Sequence, residues 1–166
     1  MILADTAASY NVSISGQGFS VSGLVGPGAP AVVEIPDEFA VQSNELVEAK
    51  GIRVTATAPV AVMFRGATVA PGNSEAYLGL PVDLLGTDYY VVLGFEESVS
   101  VRGFSPTLAP SQLTFVAAED GTRVRVVPSC QSLSGSGPGL PINLILYQGD
   151  VWQYRCGDRD DVTGTR

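Results

Sequence analysis

The chain has no histidine, a single lysine and only two cysteines among its 166 residues. Without an imidazole, a serine or cysteine nucleophile lacks its usual general base, and zinc lacks its usual nitrogen ligand. Lys50 is the one amine that could act as a base instead, and nothing in the sequence places it beside a serine. The composition therefore argues against triad-type catalysis and against a zinc site.

Positive charge is also scarce: the chain has nine basic and seventeen acidic residues, and its net charge is −8. A chain this acidic, with no basic cluster, is a poor partner for nucleic acid or anionic lipid. It has no apolar run of about 18 residues that could span a membrane. Met1–Ala4 is too short for a secretory signal. We expect no nucleic-acid partner and no membrane insertion; an export signal, if used, lies outside this sequence.

Sustained helical periodicity is missing as well, apart from a turn or two near Pro36–Glu48. Nineteen glycines and eleven prolines separate short apolar runs instead, which is typical of many short strands. We predict an all-β, antiparallel sandwich-like domain, with a propeller-like arrangement of sheet modules as the alternative. The predicted strands lie at residues 11–14, 19–25, 31–35, 52–56, 60–64, 77–80, 89–93, 113–118, 123–126, 142–147 and 151–155.

Three predicted strand pairs have the pattern of β-hairpins. The strongest is Gln112–Pro128, where Asp120-Gly121 suits a two-residue turn with positive φ at both central positions. The others are Ile52–Phe64 and 142–155. Residues expected to point inward are Phe115, Val124, Val126, Val60, Val62 and Val91.

Part of the chain repeats weakly, with 1–53 as a half-period and 54–166 as one full period. The chain is accordingly a single all-β domain or an excised fragment of a larger repeat region. We expect the first half-period to close the fold internally, with Ile52–Phe64 beside strands of 113–166, and the chain to be a monomer.

Cys130 and Cys156 are the only cysteines, so one pairing is possible. Both follow predicted strands and lie among polar, glycine-rich residues. A disulfide is favoured over two free thiols, and it indicates an oxidising compartment.

Two groups of residues are candidates for ligand binding. Tyr89, Tyr90, Trp152 and Tyr154 could line a carbohydrate-binding face, or could instead pack in the core and cover the sheet. Asp158, Asp160 and Asp161 could hold Ca²⁺ through hard oxygen ligands, or could form a solvated turn.

Paired carboxylates at Glu96-Glu97 and Glu119-Asp120 are weak candidates for acid–base catalysis. Adjacent strand residues point to opposite faces, whereas glycosidase carboxylates must face each other across a bond. Asn11-Val12-Ser13 is a glycosylation sequon, meaningful only in a eukaryotic secretory pathway.

Four segments in order resemble the IgGFc-binding protein amino-terminal domain family. They are GIRVTATAPVAVMFRG at 51–66, LPVDLLGTDYYVV at 80–92, SQLTFVAAEDGTRVRVVPS at 111–129 and DDVTGTR at 160–166. The resemblance extends from about Tyr10 to Arg166, leaving out 94–111. It implies an all-β, extracellular region of a larger secreted or cell-surface protein, with no catalytic residues to carry over.

Three functional hypotheses follow from these observations. The first is a non-enzymatic adhesion or ligand-binding module for a protein or glycan at a cell surface, matrix or mucus. The second is a passive structural spacer within a surface protein. The third, a hydrolase using carboxylates, has the least support.

Overall fold

The structure is a computed structural model that describes residues 1–67, 74–92, 111–157 and 160–166. All strand pairs in these ranges are antiparallel, and the only helical elements are two short 3₁₀ turns at Asp37–Phe39 and Val82–Leu84. The all-β prediction is therefore confirmed. The strands are β1 (Ile2–Leu3), β2 (Ala8–Ile14), β3 (Phe19–Val25), β4 (Val47–Glu48), β5 (Ile52–Ala56), β6 (Ala61–Ala67), β7 (Ser74–Leu78), β8 (Gln112–Val116), β9 (Thr122–Val126), β10 (Ile142–Leu146) and β11 (Val151–Arg155).

The first of two compact units comprises Met1–Ala40 and Ile52–Leu85. It contains one sheet in the order β3-β2-β5 and a second in the order β1-β6-β7. Apolar residues alternate along β2, so one row of its side chains faces the core. The buried members of this core are Ile2, Ala8, Val12 and Val25, against which Phe19, Ile52, Val54 and Val60 pack among others.

The second unit comprises Val41–Gly51 and Gly86–Arg166. Its sheets have the orders β4-β11-β8 and β10-β9. The buried core consists of Val126, Cys130, Trp152, Tyr154, Cys156 and Val162, with Val91, Leu113, Phe115, Val124, Ile142 and Leu144 packed against it. Five of the six residues expected to point inward thus join one of the two cores, and Val62 is half-buried.

Each unit therefore has small antiparallel sheets and its own apolar core, as the sandwich-like prediction requires. The described sheets have two or three strands, whereas propeller blades typically have four. The propeller alternative does not fit this arrangement. The predicted boundary between the half-period 1–53 and the period 54–166 falls inside β5, so the compact units have different bounds from the repeat. The repeat itself stays a prediction.

The predicted hairpin at Gln112–Pro128 is wrong in its pairing, although both strands form. β8 pairs with β11 and β9 pairs with β10, so the chain changes sheets between them. Gly121 has the expected positive φ of 72°, but Asp120 does not share it, and a type I′ turn needs both. The segment forms a corner between two sheets. Residues 147–150, between β10 and β11, form a second corner of the same kind.

These two corners are hydrogen-bonded to each other. The backbone of Ala117 donates to Asp150 O at 2.9 Å and accepts from Gly149 N at 2.9 Å. The carboxylate of Asp120 accepts from the backbone N–H of Gln148 at 2.9 Å. Asp120 thus satisfies a donor in the neighbouring corner, which explains why a turn-forming residue stands here without forming a hairpin.

Other predicted strand pairings also differ from those in the structure. β5 pairs with β2, and β6 pairs with β1 and β7, so 52–64 is not a hairpin. Among the described residues neither strand pairs with a strand of 113–166. The closure that does form uses β4, which pairs with β11. The predicted strand at 31–35 is reduced to one bridge between Ile2 and Ala31.

Gly51 is the position where added volume should damage this arrangement most. A Cβ there would lie 2.7 Å from Gly149 O, 2.7 Å from Val116 Cγ2 and 2.8 Å from Gly149 Cα. Because main chain cannot give way cheaply, Gly51→Ala should lower the free energy of unfolding by at least about 2 kcal/mol in urea titrations. Gly137→Ala is the control, since its nearest neighbour would be 3.7 Å away. Equal stability of the two variants would contradict this packing.

The predicted disulfide is present. Cys130 and Cys156 are bonded, their Cα atoms are 5.8 Å apart, and both residues are buried. Alkylation of native protein without reductant should therefore leave the intact mass unchanged, while two alkylated thiols would contradict the bond. Reduction should lower the free energy of unfolding by on the order of 3 kcal/mol, because the bond restricts the unfolded chain.

Candidate binding surface

The structure does not place the four candidate aromatic residues on one face. Trp152 and Tyr154 are 1% and 0% exposed and belong to the core of the second unit. The Trp152 ring lies 5.3 Å from the Phe115 ring and 5.9 Å from the Tyr154 ring, centroid to centroid. These two side chains pack the sheet against the disulfide, so a surface ligand would meet only Tyr89 and Tyr90.

Tyr154 has a defined structural role. Its hydroxyl donates to Cys130 O at 2.9 Å and lies 3.3 Å from Ser136 O, so it anchors the 129–141 loop to β11. Burial, followed by the nearby charge of Glu45, raises the pKa of the Tyr154 phenol above its ordinary value. The neutral hydroxyl is thus retained as a donor.

Tyr89 and Tyr90 are exposed, at 57% and 66% of their surface. The Tyr89 hydroxyl accepts a hydrogen bond from Gly86 N at 2.7 Å. The Arg166 guanidinium lies 5.4 Å from the centroid of the Tyr90 ring and pairs with Asp88 through contacts of 3.2 and 3.3 Å. We call Asp88, Tyr89, Tyr90 and Arg166 the tyrosine patch.

Main-chain hydrogen bonds hold the two parts of the tyrosine patch together. Val91 N donates to Thr165 O at 3.0 Å, and Gly164 N donates to Val91 O at 2.9 Å. Residues 89–92 were predicted as part of a strand, but this short contact does not extend into one. It nevertheless fixes the tyrosines next to Arg166.

The chemistry of the tyrosine patch suits recognition. Exposed tyrosine rings offer apolar faces for stacking and a hydroxyl at the rim. The hydrogen bond with Asp88, and then the Asp88 charge, raise the pKa of Arg166. An exposed ion pair of this kind adds little stability, so its main effect is to orient the guanidinium over Tyr90.

The predicted calcium ligands are only partly described, because Asp158 lies outside the described residues. Asp161 accepts from the backbone N–H of Thr163 at 2.8 Å and from its hydroxyl at 2.9 Å. The backbone hydrogen bond lowers the pKa of the Asp161 carboxyl most. In the described residues no three potential ligands (His, Cys, Asp or Glu) cluster to hold a metal, and a Ca²⁺ site that includes Asp158 stays a prediction.

The paired carboxylates gain no support as catalytic groups from the described structure. Asp120 belongs to a corner, where it accepts from Gln148, and Glu119 is exposed. Glu96-Glu97 lies outside the described residues.

A polar surface that the sequence reasoning did not identify covers the outer face of β3-β2-β5. The Asn11 amide donates to Ser20 Oγ and Ser22 Oγ, both at 2.9 Å, and the Ser9 and Thr57 hydroxyls lie 3.3 Å apart. Alternating serine, threonine and asparagine on three neighbouring strands is the signal that could have revealed it. The sequon nitrogen of Asn11 is thus already hydrogen-bonded within this face.

Within the described residues, no helix is long and apolar enough to cross a membrane. Fold and surface together define a disulfide-bonded, all-β protein with exposed aromatic groups and no described metal cluster.

A protein-family model described as "IgGFc binding protein" matches residues 75–166. The match covers more than half of the chain, and the chain belongs to this family. It includes most of β7 and most of the second unit but not residues 51–66, whose resemblance to the family stays a prediction. No curated protein and no solved structure matches the chain significantly.

Glu48 carries the most perturbed carboxyl group among those described. Burial alone would raise its pKa, but the Lys50 ammonium at 2.8 Å and the backbone N–H groups of Ser43 and Gln42 lower it to about 2. These contacts close the 42–50 segment on itself, and β4 within it pairs with β11.

This shift predicts a pH-dependent contribution to stability. The unfolded carboxyl titrates near 4.5 and the folded one near 2, so the contribution is complete above pH 4.5 and is lost as the pH falls to 2. Glu48→Gln should lower the free energy of unfolding by about 1 to 2 kcal/mol at pH 7, since solvent screens part of the interaction. Urea titrations from pH 7 to 2.5 should show this difference shrinking. Glu119→Gln, at an exposed site, should have no such effect; a pH-independent difference would contradict the assignment.

Proposed function

We propose that the chain is a non-enzymatic binding module of a larger extracellular protein, and that it attaches a protein or glycan ligand at a cell surface, matrix or mucus. Membership in a family described as binding IgG Fc supports a protein-binding role. The buried disulfide supports an oxidising, extracellular setting. The ligand of this chain need not be IgG Fc.

The tyrosine patch is the single observation that carries the proposal. Two adjacent tyrosines are largely exposed to solvent. Tyrosine is enriched at protein interfaces and stacks on sugar rings, because it combines a large apolar face with a polar tip. Bonds from Gly86 and the Arg166–Asp88 pair preorganise the patch, which lowers the entropy that binding must overcome.

The non-enzymatic part of the proposal rests on chemistry. The chain has no histidine. The Glu48 carboxyl is held ionised by Lys50, and Asp161 binds its own turn, so neither has the raised pKa of a general acid.

A passive spacer is the second candidate, and one observation favours it. Each of the two compact units has its own apolar core, as expected of a structural module that needs no ligand to hold it together. A spacer needs no ligand, whereas a binding module must have one, so binding measurements distinguish the two functions.

The test is an array of glycans and matrix proteins probed with the whole chain and with Tyr89→Ala/Tyr90→Ala. We expect at least one ligand, whose affinity falls roughly tenfold or more in the double variant, as for other interface aromatics. Tyr147→Ala is the matched control, because Tyr147 is a 60% exposed tyrosine in the same unit.

Circular dichroism and an intact disulfide should show that all variants fold. Absence of any ligand would favour the spacer. A ligand whose affinity is equally reduced by Tyr147→Ala, or not reduced by the double variant, would show that the tyrosine patch is not the site.

A further inference from the structure

The second unit includes a segment from the amino-terminal half of the chain. Residues 41–51 belong to this unit, whereas Ala40 before them and Ile52 after them belong to the first unit. We call residues 41–51 the arm. Its strand β4 pairs with β11 and completes the sheet β4-β11-β8. The residues that meet here are remote in sequence, since Asn44 and Arg155 are 111 positions apart.

Asn44 is the first point at which the arm is attached to the rest of the second unit. Its side-chain amide donates to Ser132 Oγ at 2.9 Å and to Ser134 Oγ at 2.7 Å. Its side-chain oxygen accepts from the backbone N–H of Arg155 at 2.7 Å. Asn44 thus satisfies a backbone donor of β11 and binds the 129–141 loop with the same side chain.

Glu45 is the second point of attachment. Its backbone N–H donates to Gln153 O at 2.8 Å, and its carboxylate accepts from the Ser136 hydroxyl at 2.8 Å. Because side chains and main chain both take part, the contact is specific for the Asn44-Glu45 pair. The residues that receive the arm, which we call the arm groove, are Ser132, Ser134, Ser136, Gln153 and Arg155.

The arm also has internal contacts of its own. The Glu48 carboxylate lies 2.8 Å from the Lys50 ammonium. It also accepts from the backbone N–H groups of Gln42 and Ser43 at 3.0 and 2.8 Å. These bonds all lie within the arm, so they need not break when the arm leaves the arm groove. A segment that is ordered before it docks loses less conformational entropy on docking.

Docking of the arm has two costs, and both lie at Glu45. Its φ of 59° is positive, which is unfavourable for a residue with a side chain. Its Oε1 atom is buried and has no hydrogen-bond partner among the described residues. No residue of the arm, all of which the structure describes, joins the buried core, and Leu46 and Val47 are 64% and 47% exposed. Polar contacts rather than deep apolar burial attach the arm, so it can open while the core stays packed.

We propose that the arm groove accepts residues 41–51 from a second copy of the chain in place of its own arm, so that copies are linked by exchange of arms. The covalent path allows this exchange, because residues 1–85 contain the arm and residues 86–166 contain the arm groove. The contacts of the docked arm are the same whether it comes from the same chain or from another copy. This equivalence is the condition for swapping an element between identical chains.

Concentration decides between the two arrangements. In dilute solution the chain's own arm has the advantage, because it is already tethered beside the arm groove. The net charge of −8 also opposes the approach of a second copy. A high local concentration of copies offsets both effects. The inference goes beyond the proposed function, since arm exchange joins copies to one another rather than to a ligand.

The experiment uses two variants of the whole chain that complement each other. Ser136→Glu places a carboxylate against Glu45 of the same chain, and Glu45→Lys removes the acceptor of the Ser136 hydroxyl. In a mixture, the introduced lysine and glutamate can pair between copies, while the unchanged Glu45 and Ser136 restore the native contact. Sedimentation should show a heterodimer whose association constant is roughly tenfold or more above that of either variant alone, because attraction replaces repulsion.

Two controls separate arm exchange from a general effect of charge. Glu119→Lys mixed with Ser15→Glu has the same charge changes at exposed positions outside the arm and the arm groove, and this mixture should remain monomeric. Glu45→Lys and Ser136→Glu combined in one chain should also give a monomer, because the chain's own arm is then attracted. Circular dichroism and an intact disulfide should show that all variants fold.

A second pair tests the same exchange at the neighbouring contact, independently of whether the first pair folds. Asn44→Asp mixed with Ser134→Lys brings an acidic arm from one copy to a basic arm groove on the other. This mixture should likewise associate roughly tenfold or more above either variant alone.

The remaining outcomes are also decisive. Monomers in both mixtures, or equal association of the control pair, would overturn the proposal. Adding Asn44→Ala to both Glu45→Lys and Ser136→Glu should weaken the heterodimer, because each exchanged arm then loses three hydrogen bonds; an unchanged heterodimer would show that the copies associate elsewhere. Tyr89→Ala/Tyr90→Ala should leave the heterodimer unchanged, so this experiment and the ligand array can fail independently.

Discussion

The second unit depends on the hydrogen bonds between its two corners. At 117–121 and again at 147–150 the chain leaves one sheet for the other, and each change of sheet removes backbone groups from a ladder. Ala117, Asp150 and Gly149 satisfy one another there, and Asp120 supplies the acceptor that Gln148 needs. Gly51 N also donates to Gly149 O at 2.8 Å. Because unpaired buried backbone groups are costly, these bonds allow two small sheets to form in place of two hairpins.

Because β8 pairs with β11 and β9 pairs with β10, the core of the second unit forms around β11. β11 becomes the middle strand of its sheet, between β4 and β8, and four of its five residues are buried. One face carries Trp152 and Tyr154 into the core, and the other is covered by the segment before β4, where Gln153 O accepts from Glu45 N at 2.8 Å. The same pairing makes β10 the one strand partner of β9 among the described residues. A strand buried on both faces and a two-stranded sheet are therefore consequences of one topology.

Strand positions could be predicted from the sequence because alternation and turn residues are local properties. The strand runs near 113–116, 123–126, 142–146 and 151–155 all formed, and so did the disulfide. Their pairing could not be predicted, since a corner between sheets uses the same glycine and aspartate as a hairpin turn. For a related reason, the sequence reasoning could not decide whether Trp152 and Tyr154 bind a ligand or pack in the core. The sequence of an aromatic strand does not show whether one or both of its faces are covered by other parts of the protein. The segment at 41–46, which covers the second face of β11, is far from β11 in the sequence. Sequence reasoning identified Tyr89 and Tyr90 as candidates but could not predict that both are exposed.

Arg166 joins the tyrosine patch to the rest of the second unit. Its guanidinium lies over Tyr90 and pairs with Asp88, while its backbone exchanges two hydrogen bonds with Val127 on the side of β9 away from β10. The side-chain contacts orient the ring and the guanidinium, and the main-chain contacts hold the backbone that carries them. Both sets of contacts lie within the segment that matches the family. Because the exposed groups of the patch are tied to the core through main-chain bonds, a ligand would meet a surface that is already ordered, and ordering it would cost little of the binding energy.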